Sequence, residues 1–139
     1  MRGIFTFLLL SISILSFAQV NSNDTPNIDI DDRLFDVYEQ EYLTTLQKNN
    51  PFLLERWSFY LDNAFYITEY PSEKGNPDYP IVEIDNLEKF NILLLEKNQS
   101  LSRDFDKQMV YKIKNTNKVL VYFSGKKFNQ KLNAHLKRG

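Results

Sequence analysis

Residues 108–124 read QMVYKIKNTNKVLVYFS. Two runs, Gln108–Lys114 and Lys118–Ser124, alternate in polarity and are rich in β-branched and aromatic side chains, the pattern of paired strands. Asn115-Thr116-Asn117 joins them, and asparagine tolerates the left-handed backbone that a three-residue hairpin loop needs. Side chains two apart share a strand face. Met109, Tyr111 and Ile113 therefore line one side of the first strand, and Lys112 and Lys114 the other. Val119, Val121 and Phe123 share one face of its partner.

Downstream, Ser124-Gly125 closes the hairpin, and a helix is predicted over 126–137. Its stripe is Phe128, Leu132, His135 and Leu136, and Lys137-Arg138 suit the negative helix end. Upstream, Ala64–Tyr70 reads as a strand, Pro71–Pro80 with three prolines and one glycine as a loop, and Ile81–Ile84 as a short strand. The apolar run Asn91–Lys97 is read as a further strand. Phe35, Tyr38, Tyr42 and Leu46 recur at helical spacing, giving a helix over 32–48 capped by Asp31-Asp32. Asn50-Pro51 restarts a helix of about 51–62 carrying Leu54, Trp57 and Leu61. The order predicts an α+β fold: an N-terminal helical hairpin, an antiparallel sheet of four to five strands, and a C-terminal helix. Parallel pairing is disfavoured, because no helix-length crossover separates the predicted strands.

The chain opens on Met1-Arg2, an apolar run from Ile4 to Phe17, and Ser16-Phe17-Ala18 before polar Gln19. This is the pattern of a signal peptide over 1–18, cut between Ala18 and Gln19. The run falls short of the roughly 20 apolar residues that cross a bilayer. Residues 19–30 read as a flexible polar leader, and 31–139 as a single domain. The absence of cysteine excludes disulfides, thiolate metal sites and cysteine nucleophiles. Cysteine-free export points to a bacterial cell envelope, with the periplasm the first compartment and secretion the second.

Net charge is only −1, yet it is unevenly spread. Residues 19–102 hold 6 Lys and Arg against 16 Asp and Glu, whereas 103–139 hold 10 against 2. The plain reading is two halves that attract on folding, with solvated faces. The sharper one is a basic face on the hairpin and last helix, formed by Lys112, Lys114, Lys126, Lys127 and Lys131. It would suit a protein partner in the envelope, an anionic lipid or a glycan. Nucleic acid fits poorly, because export removes the usual targets and no binding motif appears.

Catalytic signatures are sparse. His135 is the single histidine and reads as structural. Asp29, Asp31 and Asp32 lack the turn glycine of a calcium loop. Glu39 and Glu41 fall on different helix faces, and Asp104 and Asp106 are explained by a turn. Ser124-Gly125-Lys126-Lys127 lacks the upstream glycine of a phosphate loop, leaving only a turn at Gly125 whose N–H groups suit an anion. Phe59, Tyr60, Tyr70 and Tyr79 are candidates for an aromatic contact surface, against a default of core packing. No metal site and no cofactor is expected. The sequence therefore favours an exported, non-catalytic binding or accessory protein of an envelope assembly. A small-ligand pocket between sheet and helices is the second reading, and a carboxylate-based hydrolase the third.

Overall fold

The computed structural model describes residues 27–70 and 77–138. The expected signal peptide, most of the leader, and residues 71–76 of the proline-rich loop lie outside them. The elements are a 3-10 turn (Asp32–Asp36), α1 (Gln40–Asn49), α2 (Pro51–Asn63), β1 (Phe65–Glu69), β2 (Ile81–Val82), α3 (Ile92–Gln99), β3 (Met109–Ile113), β4 (Lys118–Tyr122) and α4 (Gly125–Leu136). The class is α+β. Among the described residues no helix is long and apolar enough to cross a membrane.

The hairpin forms as its sequence predicts. β3 and β4 pair antiparallel, Tyr111 opposite Leu120. Asn115 adopts φ 61°, in the left-handed region that asparagine tolerates. β1 joins the other edge of β4, antiparallel, with Ile67 opposite Leu120.

Three expectations are corrected. First, the sheet is mixed: its order is β1-β4-β3-β2, and β2 runs parallel to β3, Val82 beside Ile113. Second, residues 92–99 are a helix, not a strand. The two corrections have one cause, since α3 is the crossover that a parallel β2–β3 pair requires. Asn91 starts that helix: its side chain accepts from the amides of Leu93 and Leu94 at 3.1 and 3.2 Å. Ser100 ends it in the left-handed region at φ 52°. Third, the helix expected over 32–48 is broken. Asp31 caps the 3-10 turn, and Arg33 bridges Asp31 and Asp62, both at 2.7 Å. Glu39, extended at ψ 145°, then resets the chain before α1.

The sheet has two unlike faces. Phe65, Tyr122 and Met109 form one inner row, Ile67, Leu120 and Tyr111 the next, and Val82 and Ile113 extend the layer. These side chains pack with Leu34, Leu43, Leu54, Leu61, Ile92, Leu95, Phe128 and Leu132, so the helices cover this face. The other face carries the rows Tyr66–Val121–Val110 and Thr68–Val119–Lys112–Ile81. None of those residues joins the core cluster, although Val119 and Val121 in the middle of this face are themselves buried.

Candidate functional site

The predicted lysines divide into two groups. Lys112 is exposed on the outer sheet face, while Lys114 is paired with Glu83 at 2.8 Å. Lys126, Lys127 and Lys131 belong to α4, beyond the far end of β4. At roughly 3.3 Å per strand residue, the six steps from Lys118 to Ser124 separate the groups by about 20 Å. They do not form one continuous patch. Lys131 donates to the Asn63 carbonyl at 3.3 Å and places its ammonium 4.3 Å from the Phe123 ring centre, so it leans over the end of the sheet.

The turn at Gly125 has a structural occupant. Gly125 N donates to the Asp104 carbonyl at 2.9 Å and Lys126 N to the Phe105 carbonyl at 3.0 Å. Lys127 N is capped by Ser124 Oγ at 3.2 Å. The amides that the sequence offered to an anion are therefore engaged. A Cβ on Gly125 would meet Phe105 Cδ2 at 2.9 Å and Phe105 Cα at 3.3 Å. The ring can swing away, whereas the Phe105 backbone must give by a few tenths of an ångström. Gly125→Ala is expected to destabilise the protein by about 1–3 kcal/mol through overpacking, partly offset by alanine's better helix propensity. Urea unfolding checks this, and an equal or raised midpoint would contradict it. Asp104 itself accepts from Asp106 N and Lys107 N, both at 2.8 Å, which makes the predicted turn and holds its pKa below the usual carboxylate range.

The aromatic candidates also separate. Phe59 is half-buried against Phe128 and stacks on His135 at 4.6 Å. His135 lies 3.7 Å from Glu55. Tyr70 and Tyr79 meet edge-on at 6.1 Å beside the loop. Tyr60, by contrast, is 9 % exposed and belongs to the core.

Tyr60 leads to a cluster that the sequence did not reveal. Its hydroxyl donates a short hydrogen bond to Glu96 Oε1 from α3. Arg103 lays its guanidinium 4.9 Å from the Tyr60 ring centre and 5.2 Å from that of Phe128. The Tyr122 hydroxyl is buried beside Glu96 without a well-aligned hydrogen bond, and Arg103 Nη1 is buried without a hydrogen-bond partner. Burial raises the pKa of Glu96, although the Tyr60 and Tyr122 hydroxyls and the Arg103 charge pull it down. Burial raises both tyrosine pKa values further, and the nearby Glu96 carboxylate adds to this.

Beside the cluster, Arg56, Trp57, Tyr60, Leu93, Glu96 and Arg103 line a cleft of about 310 Å³. Trp57 stacks on Tyr38 at 4.5 Å, which fixes its ring plane. A larger groove of about 610 Å³ lies at the α2–β1 side, lined by Arg33, Leu61, Asp62, Phe65, Ile67 and Phe90 among others. There Arg33 and Asp62 neutralise each other. Among the described residues no three His, Asp or Glu side chains converge as metal ligands. Compared with family models, curated proteins and solved structures, the chain matches none.

Proposed function

We propose that the chain is an exported, non-catalytic binding protein of a bacterial cell envelope assembly, and that its outer sheet face receives an acidic protein partner. Export rests on the signal-like first 18 residues. One observation supports the surface: the helices gather on the inner face, leaving Lys112 level with Ile81, which is 63 % exposed, and one row from Tyr66, which is 40 % exposed. Apolar and aromatic side chains beside an unpaired lysine make the kind of surface on which packing anchors a partner and charge selects it. Of the basic face read from the sequence, the hairpin half carries this role, and Lys126 and Lys127 stand apart from it.

Two measurements test the proposal. N-terminal sequencing of protein from living cells should begin at Gln19, and a start at Met1 would remove the compartment. A photo-crosslinking residue at position 66 or 81 should trap one acidic protein. That product should be lost with Lys112→Glu and at raised salt, and kept with Lys126→Glu and Lys127→Glu. The same probe at Phe52, exposed on α2, should trap nothing. Crosslinks from position 52 alone, or transfer to lipid or glycan instead of protein, would overturn the reading.

A further inference from the structure

The α2–α3 cleft is separate from the outer sheet face and has its own chemistry. Two guanidinium groups border it, those of Arg56 and Arg103, and both lie close to one ring: 5.7 and 5.2 Å from the Phe128 centre. Arg56 gives one hydrogen bond, to Asn129 Oδ1 at 3.1 Å. Arg103 Nη1 has no acceptor. Arginine presents five donors in a fork that fits a carboxylate, so Arg56, exposed and using one of them, has capacity left over, and Arg103 adds its charge although its Nη1 is shut off from solvent. The single carboxylate lining the cleft is Glu96, with one oxygen engaged by Tyr60. Trp57 and Leu93 supply apolar wall between the charged groups. The cleft thus has an excess of positive charge, one carboxylate that lines it beside the Tyr60 and Tyr122 hydroxyls, and room for a molecule the size of one amino acid.

We propose that this cleft binds a small zwitterionic amino-carboxylate such as a free amino acid, its carboxylate on Arg56 and Arg103, its ammonium on Glu96, and its side chain against Trp57 and Leu93. Inorganic anions lack both the ammonium and the apolar body that the arrangement accommodates.

Calorimetric titration of the purified protein with phenylalanine, phenylpropionate and phenethylamine tests this, because the last two remove the ammonium and the carboxylate in turn. Phenylalanine should saturate the protein, and each analogue should bind at least about tenfold more weakly, the value of one charge-assisted hydrogen bond. Arg56→Gln, at an exposed position, should keep the melting temperature and weaken phenylalanine about tenfold. Glu96→Gln should bring phenylalanine and phenylpropionate to the same affinity. No saturation by phenylalanine, leucine or glycine up to about 10 mM would overturn the proposal. So would equal binding of phenylalanine and phenylpropionate by the unaltered protein, or equal competition by inorganic phosphate. The outer-face crosslinks should be unchanged in Arg56→Gln, so either proposal can fail alone.

Discussion

Phe128→Ala should cost the protein about 3–5 kcal/mol, the usual range for deleting a buried phenylalanine. Phe128 is fully buried in the first half of α4. Its ring meets Tyr60 edge-on at 5.1 Å and Phe59 at 5.9 Å, and the Arg56 and Arg103 guanidinium groups lie within 6 Å of its centre. Truncation therefore opens a cavity where α2, α4 and the Arg103 segment meet, and it removes the ring that both cations lie against. A small domain has only about 5–15 kcal/mol of stability in total. The loss should lower the melting temperature by well over 10 °C, at roughly 4–8 °C per kcal/mol. Phe52→Ala is the control: that ring is 64 % exposed, and its loss should stay within about 0.5 kcal/mol. Similar losses for the two variants would mean that α4 does not dock as described.

Glu96→Ala should cost about 1–3 kcal/mol, the range for leaving a buried donor without its acceptor. The penalty arises less from the lost contacts than from what stays behind. The Tyr60 hydroxyl loses its acceptor, and Arg103, with one nitrogen already buried and unpaired, loses a nearby carboxylate. Tyr122→Phe should be the milder change. Its hydroxyl lies beside Glu96 without a well-aligned hydrogen bond, so its removal should cost less than about 1 kcal/mol. Equilibrium unfolding of both variants checks the order. A mild Glu96→Ala together with a costly Tyr122→Phe would place the network's strength at Tyr122 instead.

The parts of the fold that local chemistry decides could be read from the sequence. Alternation on both sides of Asn115-Thr116-Asn117 sets the hairpin, and Asn50-Pro51 separates α1 from α2. Residues 92–95 could not be read in the same way, because Ile-Leu-Leu-Leu suits a buried strand as well as a helix. The deciding signal was Asn91, whose side chain caps two amides. Read as a strand, α3 leaves no crossover, and without a crossover β2 has no route to a parallel place beside β3. The broken first helix has a related origin: the Asp31–Arg33–Asp62 bridge is a tertiary contact that spacing does not record.

The candidate sites follow the same division. Strand alternation correctly puts Lys112 on the face opposite Tyr111. Treating lysines near in sequence as one patch failed, because β4 carries the chain from one end of the sheet to the other. Tyr60, Glu96, Arg103 and Tyr122 come from four separate segments, so no spacing rule unites them. The available hint was Glu96, an acid closing an apolar run.

α3 holds the Glu96 carboxyl half-buried against Tyr60 and beside Arg103. Carbon-detected NMR titration of that carboxyl tests this placement directly. The account predicts a midpoint above the ordinary glutamate value, because burial outweighs the hydroxyls and the charge that oppose it. By linkage, the native state then holds this proton more tightly than the unfolded chain. Glu96's contribution to stability is present below the ordinary value and is lost as pH rises through the raised one. A midpoint at or below that of an exposed glutamate would contradict the account, leaving Glu96 in water and the cleft without its carboxylate wall.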